Sequence, residues 1–447
     1  MARRFKRVDY EQSRQQTVTI GECLPANHLA YFMVEKIARL DLSSIYAHYA
    51  PVGGEAFAPE ILLGLLLYGY ATGVFSSRQI EKGSDETIPF RYIAGGLHPD
   101  HDTIANFRKT FLPQVTTLFV QVLVIAQAAG VLNLGNISLD GSKIHADASK
   151  SKAVSYEYLP KLETRLQAEV EELLVLAAQA DQSDLPVGLD IEAEISFRQD
   201  RLVNLVQAKT ILAARAQERY DLEQAEYEAK LRQREQKAQE SGHKARGQAP
   251  QPPVSGARPH DQYNFTDPDS RIMKNSTNAG FDQHYNAQAA VEQVSLLIVA
   301  PSLSNHPGDT AEAVPTISAI PRGLGRPEAA AMDRNYFSPT TIKTLQAWGI
   351  EPYIATGREA HQHIAQTPAT PPPEASLIVK MASKLQTDIG RAVYRLRKCT
   401  VEPVIGIIKE VLGFRQFSLR GLTAAPGEWS LVCLAWNLKR LHVLMAA

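Results

Sequence analysis

Three acidic residues stand where the chain could present carboxylates for chemistry. Asp140 lies in a strand-like segment, residues 136–144, in which apolar and polar side chains alternate with the period of two of a β-strand. Asp333 follows the short apolar run 329–332. Glu402 precedes Lys409 by seven residues, which puts both on one face of a helix. The alternative for an Asp after an apolar strand is a residue that starts a turn.

These acids are far apart in the chain, so only a fold can bring them together. Asp140 and Asp333 are 193 residues apart, and Glu402 lies 69 residues beyond Asp333. An α/β sheet would gather them if the two Asp residues ended neighbouring strands and a packed helix supplied the Glu. Carboxylates in close contact take up protons unless a cation neutralises them. Oxygen ligands of this kind select Mg²⁺ or Mn²⁺, and a pair of such ions suits phosphodiester chemistry.

Four short motifs occur in order along the chain. They are residues 139–143 (LDGSK), 264–270 (NFTDPDS), 333–338 (DRNYFS) and 401–406 (VEPVIG). With these motifs the sequence resembles the bacterial insertion-sequence transposases of the Asp-Asp-Glu (DDE) type, in particular the subgroup with a helical N-terminal transposase domain. The resemblance implies an α/β, RNase H-like catalytic domain. In that domain Asp140, Asp333 and Glu402 would be the catalytic residues and would hold a pair of Mg²⁺ or Mn²⁺ ions.

The same resemblance implies an activity on double-stranded DNA. A transposase of this type nicks the terminal inverted repeats of its element by hydrolysis, and the freed 3′-hydroxyl then joins target DNA by transesterification. A homodimer or higher oligomer on DNA is also implied. Two alternatives stay open: a metal-dependent nuclease of the same fold that cuts without joining, and an inactive, transposase-derived DNA-binding protein. The presence of all three acids disfavours the second alternative.

Basic residues around Glu402 are candidate DNA contacts. In this family the helix often carries a Tyr, an Arg, the Glu and a Lys. Glu402 and Lys409 match directly, Lys398 stands at the position of the Arg, and Tyr394 lies one residue upstream of the usual Tyr position. We therefore expect phosphate contacts from the basic side chains of this region, with salt bridges as the alternative for the two lysines. The candidates are Lys409, Lys398, Arg397 and Arg395.

The N-terminal third is expected to be helical. Segment 59–70 begins with a proline and is apolar nearly all round, which predicts a core helix. Short helices at 76–82, 88–96 and 102–111 suggest a helix-turn-helix in which Asn106, Arg108 and Lys109 contact DNA. A plain helical bundle explains the same pattern and stays open. Asp102 or Thr103 is expected to cap the last of these helices.

Changes in composition divide the chain into four regions. We expect a basic leader at 1–20, a helical DNA-binding domain at 21–132, an RNase H-like domain at 133–155 and 260–447, and a helical, coiled-coil insertion with a linker at 156–259. The insertion is either a structural spacer or a device for dimer assembly or DNA clamping.

Several local features are expected within these regions. Residues 185–188 (LPVG) would form the turn between the arms of the insertion. Residues 144–149 would form the hairpin partner of the first strand. Pro403 would interrupt its helix and bias Glu402 away from helical dihedrals.

The composition of the chain indicates the cellular compartment in which the protein acts. The 447 residues carry a formal net charge of −1, so phosphate contact must come from local basic clusters. The three cysteines lack metal spacing, which fits a reducing cytosol. The first residues lack the apolar core of a signal peptide, and the longest apolar runs are too short to span a bilayer. We expect a cytoplasmic protein that acts at the bacterial nucleoid and not in a membrane.

Overall fold

The computed structural model describes residues 19–50, 55–180, 190–241, 243, 247–275, 280–357 and 371–446. The chain forms two compact units. The first combines Met1–His145 with Tyr285–Ala447, and the second is Ala146–His284. The turn expected at 185–188 lies outside the described residues, as does the expected basic leader apart from residues 19 and 20.

The N-terminal part of the first unit is helical, as predicted. Its helices are α1 (Leu29–Ile37), α2 (Ser43–Tyr46), α3 (Pro59–Thr72), α4 (Ser77–Glu86), α5 (Ile88–Ile93) and α6 (His101–Ala128). Helix α3 begins at Pro59, whose missing N–H is not needed in a first turn, and it ends at Gly73, whose φ of 84° favours glycine. Residues 62–71 are buried, which confirms the predicted core helix.

Helix α6 is much longer than the predicted segment 102–111. Asp100 caps it, rather than Asp102 or Thr103, because the Asp100 carboxylate accepts a hydrogen bond of 2.8 Å from the Thr103 N–H. Among the described residues α6 is long and apolar enough to cross a membrane, and α3 with α4 would do so only as a pair bent by 100°. Buried side chains such as Phe107 and Val122 make α6 a core helix of this unit, as in the helical-bundle alternative.

Strand β1 (Asn136–His145) carries the chain from the first unit to the second. Residues 144 and 145 belong to this strand, so the prediction of a hairpin partner at 144–149 is wrong. The strand continues past Gly141 because its far end is also paired. The His145 N–H donates to the Arg415 carbonyl at 3.0 Å, and the Phe417 N–H donates to the His145 carbonyl at 2.9 Å.

The second unit is built on a pair of helices. It contains β2 (Ala153–Ser155), α7 (Leu159–Ala180), α8 (Ile191–Ser241), β3 (Gln262–Asn264) and β4 (Arg271–Lys274). Strands β2 and β3 pair antiparallel, and a buried cluster that includes Leu166, Leu205 and Tyr263 joins them to the helices. The two helices agree with the predicted insertion in type. The compact unit itself starts before residue 156 and ends after residue 259.

Strand β5 (Phe281–Glu292) returns the chain to the first unit, where it pairs antiparallel with β6 (Ile298–Ser304). The next elements are α9 (Ala313–Ser318), β7 (Ala329–Met332), α10 (Pro339–Ala347) and β8 (Glu351–Ile354). Within this unit the strand order is β6-β5-β1-β7-β8. Strand β7 is parallel to both β1 and β8, and α10 lies in the crossover from β7 to β8.

Four helices close the first unit: α11 (Leu377–Gln386), α12 (Asp388–Leu396), α13 (Val401–Gly406) and α14 (Ala425–Ala446). The chain breaks between α12 and α13 at Thr400, where φ is −118° and ψ is −87°. Glu402 and Pro403 lie in the first turn of α13, so the interruption is found but the expected non-helical conformation of Glu402 is wrong. Proline is tolerated there because the first N–H groups of a helix have no partner within it.

Candidate active site

Asp140 and Asp333 extend from neighbouring parallel strands. The last paired residues of β1 and β7 are Leu139 and Met332, and each aspartate is the next residue along its strand. The Asp140 carboxylate accepts a hydrogen bond of 2.9 Å from the Gly141 N–H. The Asp333 carboxylate caps the short turn Arg334–Tyr336 by accepting from the Asn335 N–H at 2.8 Å. Both acids therefore lie at the same edge of the paired region, as the sequence predicts.

Arg397 links Glu402 to this pair. Its guanidinium lies 2.8 Å from a carboxylate oxygen of Glu402 and 3.4 Å from one of Asp140. The Arg397 side chain is 11% exposed, whereas that of Glu402 is 43% exposed. The Arg397 Nε is buried and has no hydrogen-bond partner in the described part of the chain. Asp140 and Glu402 thus share one buried cation that belongs to the protein, and the positive charge of the same cation acts to lower the pKa of Asp333.

A buried polar clamp fixes the helix break beside β1. The Thr400 hydroxyl donates to the Ser138 hydroxyl at 2.8 Å, and the Gln293 amide donates to the same Ser138 oxygen at 2.9 Å. Gln293 also donates to the Val393 carbonyl of α12 at 3.1 Å. Ser138 lies two residues before Asp140 and on the same face of β1. These hydrogen bonds therefore hold the segment that carries Arg397 and Glu402 close to Asp140.

Burial dominates the electrostatics of the site. It raises the pKa of Asp140 to about 7, against the lowering effect of Arg397, and the negative charges of Asp333 and Glu402 add to the rise. Burial also raises the pKa of Asp333. One guanidinium therefore does not neutralise these carboxylates fully. The site carries a deficit of positive charge at neutral pH, when the acids ionise.

A polar network beside Asp140 was not predicted. The Asp309 carboxylate accepts hydrogen bonds from the side chains of Asn286, at 2.8 Å, and Gln288, at 2.9 Å. The Tyr336 hydroxyl donates to the Gln288 side-chain oxygen at 2.5 Å. Burial raises the pKa of Tyr336 well above its usual value, and nearby carboxylates add to the rise, those of Asp309, Asp140 and Asp333. Tyr336 is therefore a neutral donor beneath the acids.

Gly141 is required by this network. A β-carbon at position 141 would lie 2.1 Å from the Gln288 amide nitrogen and 2.9 Å from an Asp309 oxygen. The glycine thus permits close approach of side chains rather than a turn. The alternation of Asn286 and Gln288 with alanines in the buried part of this strand is the signal that could have indicated this network. A single sequence gives no such signal for Asp309.

The basic residues predicted around Glu402 separate into two groups. Arg397 is buried between the acids, whereas Arg395 and Lys398 are exposed. Lys409 is half-buried and donates to the Ser142 hydroxyl at 2.8 Å and to the Lys143 carbonyl at 3.2 Å. Burial lowers the pKa of Lys409. Lys409 is therefore bound to β1 beside the acids, while Arg395 and Lys398 reach solvent.

Arg108 does not have the position predicted for a DNA contact. Its guanidinium donates to the Tyr70 hydroxyl at 3.0 Å and to the Phe75 carbonyl at 3.2 Å. Tyr70 in turn donates to the buried carboxylate of Glu428 at 3.3 Å. The prediction for Arg108 is wrong because its donors are turned into the unit, where they accompany a buried acid. Asn106 and Lys109 are exposed, and their contact with DNA stays a prediction.

The acidic residues of this site are possible ligands of a divalent cation. Among the described residues no three His, Cys, Asp or Glu side chains form a ready-made metal site. Asp140 and Asp333 nevertheless fit one, because they are partly buried oxygen donors whose negative charge Arg397 compensates only in part. The carboxylate of Glu402 is chemically suited to be a further ligand, but in this structure it is paired with Arg397.

Comparisons with known families match both ends of the chain. Residues 18–110 match a family model described as a transposase domain (DUF772), and residues 347–442 match one described as a transposase DDE domain. Glu402 and Lys409 lie within the second match, whereas Asp140 and Asp333 lie outside both. No curated protein and no solved structure matches the chain.

Proposed function

We propose that the chain is an insertion-sequence DNA transposase of the DDE type, which cuts the ends of its element and joins them to target DNA with Asp140, Asp333 and Glu402. The observation that carries this proposal is that each of the three acids interacts with Arg397. Asp140 and Asp333 follow adjacent parallel strands, and Glu402 reaches the same place through Arg397. An RNase H-like fold is supported by the mixed sheet, in which β1 lies between an antiparallel pair and a parallel pair.

DDE domains of transposases use divalent metal ions. We propose that the site takes a pair of Mg²⁺ or Mn²⁺ ions, which would supply activation of the attacking oxygen and stabilisation of the leaving oxygen. Asp140 and Asp333 would hold the ions, and Glu402 would join them once Arg397 releases it. Ionisation of the two buried aspartates, whose pKa values are raised, supplies the negative charge that such ions need.

The remaining groups of the site would bind and orient DNA. Arg395 and Lys398 are exposed beside Glu402, where they would contact phosphates of the duplex. Lys409 would place its ammonium near the scissile phosphate while Ser142 orients it. Asn106 and Lys109 would contact DNA from the N-terminal helices. The DNA partners are the terminal inverted repeats and the target duplex, bound by a homodimer or a larger oligomer in the bacterial cytoplasm, at the nucleoid.

A strand-transfer assay tests this proposal. Labelled DNA from each flank of the gene is incubated with purified protein, Mg²⁺ and a target plasmid. The wild type is expected to give cut ends and joined product. Asp140→Asn, Asp333→Asn and Glu402→Gln are each expected to abolish both while DNA binding persists, and Glu410→Gln, an exposed acid in the same segment, serves as the matched control.

The products also separate the alternatives. Cutting without joining would establish the nuclease, and binding without cutting would establish the inactive DNA-binding protein. Cutting by any of the three variants at the wild-type rate would remove that residue from the active site.

A further inference from the structure

A cavity lies within the unit Ala146–His284. Its volume is about 530 Å³, which is in the range of small-molecule sites. The floor is apolar and includes Val154, Leu162 and Leu205, which belong to the buried cluster between α7, α8 and the β2–β3 pair. The cavity therefore opens at the surface of this unit, and its floor is the packed cluster between the helices and the β2–β3 pair.

The charges at this cavity are of one sign. Lys152 and Arg201 line it, and no acidic residue does so among the residues that the structure describes. Neither cation forms an ion pair in the described ranges. Other basic residues of the same helices do: Arg198 pairs with Glu169 at 3.0 Å, and Arg219 with Asp261 at 2.9 Å. The cavity therefore offers uncompensated positive charge to an anion.

Aromatic side chains line the same cavity. Phe197 is 58% exposed and Tyr158 is 46% exposed. The Arg201 guanidinium carbon lies 5.7 Å from the centre of the Phe197 ring, so the cation and the ring face belong to one surface. A large exposed aromatic beside an unpaired cation is the combination by which proteins stack bases and hold the attached phosphates.

We propose that this cavity binds one unpaired nucleotide of the DNA on which the protein acts. The base would stack against Phe197 and Tyr158, and its phosphates would be held by Lys152 and Arg201. The polar side chain of Asn204 lines the same cavity and could bond to a base edge. A base paired inside a duplex cannot enter a concave site, whereas a base turned out of the stack can. This inference rests on the proposed function, the action on DNA. It gives the helical insertion a role in binding that DNA.

Fluorescence anisotropy with the full-length protein tests the proposal. The probes are a labelled oligothymidylate of about 12 nucleotides, a duplex, and the same duplex with one unpaired thymidine. Phe197→Ala is expected to weaken binding of the oligothymidylate and of the bulged duplex about tenfold while leaving the plain duplex within about twofold. Lys152→Ala with Arg201→Ala is expected to reduce the salt slope for single-stranded DNA by about 1.4.

Matched controls lie on the same helix. Leu222→Ala removes an exposed apolar side chain and Arg232→Ala an exposed cation paired with Glu228, and neither should change any affinity. Circular dichroism should show unchanged folding, because Phe197 is exposed and alanine favours helix.

Each other outcome overturns the assignment. Equal loss on the plain duplex would place Phe197 on paired DNA. Equal affinity for free thymidine monophosphate would make the cavity a site for a free nucleotide. Unchanged affinity of Phe197→Ala for all probes would exclude a stacked base. If the wild type cuts end DNA in that case, only the cavity proposal fails; if it binds no DNA at all, the proposed function fails as well.

Discussion

Replacing Asp140 by Asn should make the metal-free protein more stable at alkaline pH. Burial raises the pKa of Asp140 from 3.8 to about 7. The folded state therefore binds a proton that the unfolded state has already released between these two values, and stability falls as pH rises through this window. A shift of about 3 units corresponds to about 4 kcal/mol at 1.36 kcal/mol per unit. The neutral amide of Asn escapes this loss.

The assay is urea unfolding followed by tryptophan fluorescence, with EDTA present. All three tryptophans, Trp348, Trp429 and Trp436, lie in the first unit, so their emission reports the unit that holds the acids. At pH 8 we expect Asp140→Asn to exceed the wild type in unfolding free energy by up to about 4 kcal/mol. The difference should shrink towards zero as the pH approaches 4.

A second arm adds Mn²⁺ at pH 8. Ligand at about 100 times its dissociation constant stabilises a folded protein by about 2.7 kcal/mol. The wild type should show this gain and Asp140→Asn should lose most of it. A variant that is less stable than the wild type at pH 8, or a difference that does not depend on pH, would refute the reasoning from burial.

Three further predictions concern residues around the site and the helical core. Gly141→Ala should lower the cleavage rate about 100-fold because its β-carbon displaces Gln288; Gly135→Ala, which meets open space, is the control, and equal rates would show that the close approach is unimportant. Arg108→Ala should lower the free energy of unfolding in urea by about 3–5 kcal/mol, because it leaves Glu428 buried without its cation. Lys109→Ala, the control, should change the free energy of unfolding by no more than about 0.5 kcal/mol. Similar effects of the two substitutions would contradict the buried network. Arg397→Gln should tighten Mn²⁺ binding about tenfold in calorimetry, because it removes a cation that competes for Asp140 and Glu402; weaker binding would show that the guanidinium supports the site.

The sequence predicts best those helices and strands that have a regular pattern of apolar residues. The alternation of β1 and the apolar run of β7 were predicted because burial selects apolar side chains at these positions. An active site of these acids requires that Asp140 and Asp333 end neighbouring strands of an α/β sheet, and each follows the last paired residue of β1 or β7. The helical insertion was recognisable from composition and spacing alone.

Features that depend on distant partners were missed or misplaced. Strand β1 continues past Gly141 because its far end pairs with residues beyond 410, which local sequence cannot indicate. Arg108 reads as a surface cation, and only the buried Glu428, some 320 residues later, turns it inward. Arg397, rather than Lys398, faces Glu402, because the helix break at Thr400 rotates the residues before it. Such pairings are set by packing and not by spacing.

The placement of the insertion between β1 and β5 has a consequence for protein synthesis. The strand that bears Asp140 leaves the ribosome 193 residues before Asp333, which corresponds to about 10–40 s at usual elongation rates of about 5–20 residues per second. During that time the second unit can fold by itself from a continuous segment, while β1 waits for its parallel neighbour. A nascent chain therefore holds an incomplete set of acids until translation is nearly finished, and prematurely terminated chains are expected to be unable to cut the genome that encodes them.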